Sequence, residues 1–418
     1  APSPSPAPAP VSGTPWTPAS HTAPTFPFTA PVTPTYTFNK QWVFDGTGDE
    51  GPKFNGYLAA LQSGDRVQVI VNDPGQTIHH YFALGNNADN FTIASDVIID
   101  VKGIKIDCFG PDPSFYCSHL NKFIIVGNSS TNWGMAQNVA RGSSFFDHKF
   151  TFCYCTEVEM FDGASDGSEA ALVYWWNCTD CHATRWNSKK SNADSFHVTG
   201  CCVRCGTFDC ISANGGDDGF PIVDYLADAT ACIDCFHIRP TMNGNNNGRG
   251  LVVLGGLRCF IYRGSASYTD AAGAMIGCEN NGDFSTRAPV NGWIDWIPPG
   301  MSTAGLTVVK GVLFHCNQSS SIDHGSALII NQRSGENFSV RLGGFTVTAN
   351  NGRAIVAAKN NNISGALLDG SFVHDVDGHG SYDTGGVFLC DGQIQKTVSD
   401  TPASTGVTFA TTCVATPG

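Results

Sequence analysis

FCYCTEV (152–158), NCTDCHA (177–183), CCVRCGT (201–207), CIDCFHI (232–238) and LRCFIYR (257–263) are five short runs rich in β-branched, aromatic and cysteine residues. Aligned on one cysteine each, they place Cys155, Cys181, Cys205, Cys235 and Cys259 at steps of 26, 24, 30 and 24 residues. The same shape returns in KGVLFHC (310–316), GGFTVTA (343–349) and DGSFVHD (369–375), around Val312, Phe345 and Ser371, at steps of 33 and 26. A period near 25 residues, built from short strands with Gly and Asn at the corners, has few physical solutions. Helical repeats need amphipathic helices, and a leucine-rich repeat needs its Leu/Asn ladder; neither pattern is visible. A right-handed parallel β-helix fits, because each coil of that fold is about three short strands joined by turns. The expected fold is therefore all-β, a parallel β-helix of about eleven coils.

In such a fold equivalent residues of successive coils stack about 4.8 Å apart, so the aligned cysteines form a ladder along one inner wall. CxxC occurs at Cys178/Cys181, Cys202/Cys205 and Cys232/Cys235. Zinc uses such pairs, but these lie on strand-like runs, where positions i and i+3 face opposite sides. The expectation is a stack of buried, reduced thiols acting as small hydrophobes, with no metal. A secreted disulfide framework is the competing reading. The count of 17 cysteines is odd and leaves at least one thiol unpaired in a monomer.

Composition agrees with a β-rich body. Gly reaches 47, Met only 5, and the net charge is −13 with 14% charged residues. An acidic chain without a basic face argues against nucleic acid. With 41% hydrophobic residues the chain is not disordered. No apolar run approaches the length of a membrane span. The start at Ala1 is compatible with a cleaved signal segment or a lost initiator Met. Residues 1–38, opening APSPSPAPAP, favour extended polyproline II and are expected to form an arm. That arm is expected to dock on a neighbouring chain, a homotrimer being the expected assembly, or on a larger particle. Residues 39–395 are the expected β-helix body and 396–418 a tail.

FDGTGDEGPKFNGYLAALQSGDRVQVIVNDPG (44–75) holds Asp45-Gly46, a short helix over Lys53–Leu61, a strand over Arg66–Val71 and a Pro74-Gly75 turn. NFTIASDVIIDVKGIKIDC (90–108) follows as the first strands. This opening resembles that of pectate-lyase-like β-helix proteins, a superfamily with polygalacturonases, polysaccharide lyases and bacteriophage tailspikes. The resemblance implies that the helix caps the open end of the first coil. Locally, SNADSFHVTG (191–200) resembles the Asn-x-Asp strand of polygalacturonases and GTFDCIS (206–212) their Gly-Asp-Asp-Cys strand. Phe208 stands where they carry the first Asp of the pair, and Arg249 where they carry the His of Gly-His-Gly. The resemblance thus implies catalytic roles for Asp194 and Asp209 only.

The repeat register adds a separate expectation. A polar stretch follows each aligned cysteine: FDGASDGSEA, NSKKSNADS, ANGGDDGFP, NGNNNGRG and GSASYTDAA. All five are expected to leave the coils at one corner and line a groove with Asp162, Asp166, Glu169, Lys189, Lys190, Asp194, Asp217, Asp218, Arg249 and Asp270. Trp186 and Tyr225 are expected to stack on sugar rings beside it. A groove of carboxylates and aromatics suits a polymeric glycan, although Asp, Asn and Gly also dominate turns for backbone reasons alone.

Two chemistries compete. Hydrolysis needs two carboxylates across the scissile bond. Asp194 with Asp217 or Asp218 supplies a pair from adjacent coils, and Asp166 with Asp217 a wider one. A β-eliminating lyase would use Lys189, Lys190 or Arg249 as base, with calcium held by an acidic loop. An acidic groove repels an acidic polymer, which ranks hydrolase first, with no cofactor. His197, His237 and His315 sit on strand patterns and are expected to be structural. The leading functional expectation is a tailspike-like protein, on a virion surface or otherwise extracellular, that binds a cell-surface polysaccharide and depolymerises it if enzymatic. A secreted polysaccharide-degrading hydrolase or lyase and a non-catalytic structural β-helix are the alternatives.

Overall fold

The computed structural model describes residues 29–45, 50–71, 78–80, 92–102, 104, 106–108, 115–128, 133–135, 148–245, 248–269, 272–279, 284–287 and 289–294, and then strand segments between 313 and 395. Residues 1–28 of the arm, the tail 396–418, the Pro74-Gly75 turn and Asp270 lie outside the described residues. The chain divides into two compact units, one built from Pro27–Val198 and Cys202–Gly219, the other including Thr199–Cys201 and everything from Phe220 onward.

The fold is an all-β parallel solenoid. In the first unit one sheet runs through Lys40–Phe44, Arg66–Val71, Val97–Asp100, Asn121–Val126, Thr156–Phe161, His182–Thr184 and Gly206–Phe208. A second sheet stacks Ala164–Asp166, Asn187–Lys190 and Ile211–Gly215. A third stacks Phe115–Ser118, Phe150–Cys153, Val173–Trp176 and Phe196–Thr199. The second unit repeats the plan, with Phe236–Ile238 beside Phe260–Tyr262, Thr241–Asn245 beside Ser265–Thr269, and Phe220–Val223 beside Leu251–Leu254. Strand alternation sorts the side chains. Val158 and Met160 are fully buried, and Ala183 stacks on Met160 in register.

Among the described residues the first unit stacks seven strands in its longest sheet, about seven turns against the eleven expected of the whole body. Coil length varies. Glu159 pairs with His182 and His182 with Gly206, steps of 23 and 24 residues. The step is 35 from Ile124 to Glu159 and 33 from Phe260 to Trp293.

The expected thiol ladder is present. Cys155, Cys181, Cys205, Cys235 and Cys259 are buried and free. Several of these thiols donate to a carbonyl of an earlier coil, Cys181 Sγ to Cys155 O at 3.6 Å and Cys259 Sγ to Cys232 O at 3.6 Å. These weak bonds let a thiol sit in an apolar wall where a hydroxyl would be costly.

The corners carry charge. Asp180, Arg204, Asp162 and Arg185 have positive φ between 51° and 56°. That left-handed conformation costs a non-glycine residue roughly 1–2 kcal/mol. Ion pairs one coil apart partly offset it: Arg185 Nε to Asp162 at 2.5 Å, Arg204 to Asp180 at 2.6 Å and, in the second unit, Arg258 to Asp234 at 2.6 Å.

The N-terminal helix spans Gly51–Ala59, with Pro52 in its first turn, and the next strand is Arg66–Val71 as the sequence predicts. Phe54 and Leu58, one helical turn apart, are buried, and Trp42 and Phe44 pack on Phe54 with ring centroids 5.5 and 5.1 Å away. The described end of the arm rests on its own chain. Thr33 Oγ1 donates to Asp162, Arg185 donates to Pro31 O at 3.2 Å, and Tyr36 OH donates to Asp100 at 2.5 Å while its ring covers Ile98, Val126 and Phe161. Among the described residues no helix is long and apolar enough to cross a membrane.

Candidate active site

Two stacked corners between the second and third sheets build the site. Ser191–Ser195 link Asn187–Lys190 to Phe196–Thr199, and Gly216–Gly219 follow Ile211–Gly215 one coil later. The backbones lock together: Asp217 N donates to Ala193 O at 3.2 Å, and Ser195 N to Asp218 O at 2.9 Å. Gly216 permits the approach, since a Cβ there would lie 2.4 Å from Asn192 O. Behind the corners buried hydroxyls fill the interior, with Ser195 Oγ 2.6 Å from Ser212 Oγ and 3.2 Å from Ser191 Oγ.

The result is a group of three carboxylates. Asp194, Asp217 and Asp218 each place an oxygen within 4.8 Å of the others. Asp218 is buried, while Asp194 and Asp217 are half-buried. Asp194 is held from two sides: its Oδ1 accepts the Asp218 amide at 2.9 Å and its Oδ2 lies 2.5 Å from His197 Nδ1. Carboxylates this close repel one another when all are ionised.

The other expected site residues are distributed more widely. Asp166 ends its strand exposed, in register with Lys190 one coil on. Lys189 lies on the same strand as Lys190, half-buried. Asp209 occupies the corner between Gly206–Phe208 and Ile211–Gly215, close enough to Arg185 to act on its charge, and is outside the three-carboxylate group. Asp162 is at the equivalent corner two coils earlier, bonded to Arg185 and the arm rather than lining the groove. Glu169 is buried.

Trp186 is not a sugar platform. It is fully buried, donates from Nε1 to Ser165 Oγ at 3.1 Å and meets the Phe150 ring edge-on. In the second unit Arg249 is tied to Glu279 at 2.5 Å, a poor setting for a lyase base, and Tyr225 packs against Val223, Val252, Leu254 and Met275 and meets the Phe284 ring.

His197, which the sequence reads as structural, lies against this group through its bond to Asp194. Its signal was positional: it follows Asp194 by three residues across a tight corner, which turns both side chains to one place.

No family model matches the sequence, and comparison with curated proteins finds no match. Solved structures do match. The catalytic unit of a thermostable GH87 alpha-1,3-glucanase from Streptomyces thermodiastaticus aligns with 87% of this chain at TM-score 0.58 and 15% identity. The catalytic domain of a GH87 alpha-1,3-glucanase variant in complex with tetrasaccharides aligns with 89% of it at TM-score 0.50 and 11% identity. The chain spans 62% and 67% of those two structures. At such identities the likeness speaks for architecture. The fold of this chain is a parallel β-helix, as in those two structures.

Proposed function

We propose that the protein is a glycoside hydrolase that cleaves a neutral polysaccharide with Asp194, Asp217 and Asp218. The observation carrying this reading is the convergence of three carboxylates from two stacked corners within 4.8 Å. Support comes from a fold whose solved neighbours include alpha-1,3-glucanases. The net charge of −13 disfavours an acidic polymer.

Hydrolysis breaks the bond between the anomeric carbon and the glycosidic oxygen. A protonated carboxyl of the Asp217/Asp218 pair gives its proton to the leaving oxygen. Asp194, with donors on both oxygens, serves as the carboxylate that takes a proton from the attacking water. Water thus adds across the broken bond, and one proton returns to the group.

The test is release of reducing ends from a panel of neutral polysaccharides, an alpha-1,3-glucan among them. Asp194→Asn and Asp217→Asn should each lower the rate about 10²–10⁴-fold with unchanged circular dichroism and melting temperature, because each removes a proton transfer. Full activity in the double variant refutes the assignment. If wild type binds an immobilised glycan without cleaving it, the receptor-binding reading on a virion or cell surface takes its place.

A further inference from the structure

His197 is fixed more firmly than a core histidine needs to be. Its side chain is 7% exposed and its Nδ1 lies 2.5 Å from Asp194 Oδ2. An ionised carboxylate only accepts, so Nδ1 carries the donated proton. From the preceding coil, Tyr174 on Val173–Trp176 stacks on the imidazole with centroids 5.0 Å apart. His148 stacks on Tyr174 at 4.2 Å with planes 6° apart. His148 is itself anchored, its Nδ1 accepting the Ala171 amide at 3.0 Å. A continuous row therefore runs from the Ala171 amide through His148, Tyr174 and His197 to Asp194, and from Asp194 to the Asp218 amide.

We propose that His197 is the positioning residue of the hydrolytic site, holding the Asp194 carboxylate in the orientation from which it activates water. This rests on the hydrolase reading above and deepens it. His197 acts through Asp194 and is not itself a catalytic residue. The ring row fixes the imidazole plane, the imidazole fixes Oδ2, and the Asp218 amide fixes Oδ1. Both oxygens of Asp194 are then held in a fixed orientation, the preorganisation on which rate depends steeply.

The test uses the full chain and the polysaccharide that wild type cleaves. His197→Ala should lower kcat about a hundredfold, the loss associated with misplacing a reacting group by an ångström, with KM nearly unchanged. His197→Asn, whose amide can donate from the place of Nδ1, should recover most of that loss. Tyr174→Leu, which leaves the bond to Asp194 but removes the ring stack, should fall between them and keeps the test open where the Ala variant fails to fold. Equal losses in the Ala and Asn variants, or a raised KM with unchanged kcat, overturn the proposal. A readout independent of turnover is the far-downfield Nδ1 proton of His197, present in wild type and lost in Asp194→Ala. If that proton is present and wild type cleaves nothing, the hydrolase reading fails, and the positioning role falls with it. If wild type cleaves and His197→Ala keeps its kcat, the positioning role alone fails.

Discussion

Trp186 lies inside the solenoid because Gly163, one coil earlier, has no side chain to occupy the space. A Cβ on Gly163 would fall 2.3 Å from the Trp186 ring. A tryptophan beside NSKK reads as a groove residue; only the vacancy on the neighbouring coil shows that it points inward. Trp186→Ala should therefore cost about 3–5 kcal/mol, read from the urea midpoint. Cysteine was easier to read. Its repeat located the inner wall directly, since an apolar stack needs nothing beyond period and side-chain size. Burial pushes the Cys153 thiol up to about 12 and raises Cys210 as well. Thiol reagent should accordingly leave these cysteines unmodified in the folded protein and react once it is unfolded. Cys205→Ser should cost on the order of 1–3 kcal/mol, because its hydroxyl would be buried with poor partners. A stability equal to wild type would mean that the wall is less apolar than its neighbours indicate.

At the scale of elements, the sequence located the right stretches but not their division. The ten-residue stretch FDGASDGSEA looks like one loop, yet it holds a strand end, a corner, the strand Ala164–Asp166 and the start of a second corner. Inward serines make that possible: Ser165, Ser188 and Ser212 are buried on three successive strands. Hydropathy hides such strands, so Asp162 and Asp194 read as one corner when they occupy two. The close approach of the corners carrying Asp194 and Asp217 depends on Gly216, and Gly216→Ala must move backbone against Asn192. The expected outcome is a large loss of kcat with a modest fall in melting temperature. The corner at Asp224 makes a different prediction. Asp224 is fully buried between Arg287 Nη1 at 2.6 Å and the Gly256 amide at 3.0 Å. Burial outweighs both donors and raises its carboxyl to about 6. A carboxyl raised on folding stabilises fully below its unfolded value near 3.9, and that contribution is lost as pH rises through about 6. Between about pH 4 and 6 wild type should lose on the order of 3 kcal/mol through this group. Asp224→Asn should flatten that slope in denaturant titrations. An identical slope in the variant would assign the titration elsewhere.

For the molecule as a whole, the arm decides how the fold responds to solution conditions. Polyproline composition identifies an arm but carries no address, because the chain's own wall and a neighbour's wall offer the same chemistry. The address is set by three side chains far apart in sequence: Thr33, Asp162 and Arg185. Arg185 Nη2 donates to Thr33 Oγ1 at 2.7 Å, Arg185 Nε binds Asp162 at 2.5 Å, and Thr33 donates to the same carboxylate. Burial works against the ionised form of Asp162, but bonds from Arg185 and Thr33 prevail and hold its carboxyl below the ordinary range. A depressed carboxyl stabilises above its unfolded value and loses that contribution as pH falls. At the other end of the contact, burial and the neighbouring Asp100 carboxylate raise Tyr36 well above an ordinary tyrosine, so its hydroxyl keeps donating to Asp100 into alkaline solution. The arm should therefore stay seated from about pH 4 upward and loosen on acidification, as Asp162 takes up a proton. Limited proteolysis across pH tests this: cleavage within residues 29–38 should accelerate below about pH 4, before the body unfolds. Arg185→Ala should move that release to neutral pH and expose Ile98, Val126 and Phe161 to a hydrophobic dye. Light scattering of the same variant at neutral pH separates the two places an arm can sit. An unchanged mass with a cleavable arm means that it is held by its own chain, and a drop in mass means that it joins neighbours.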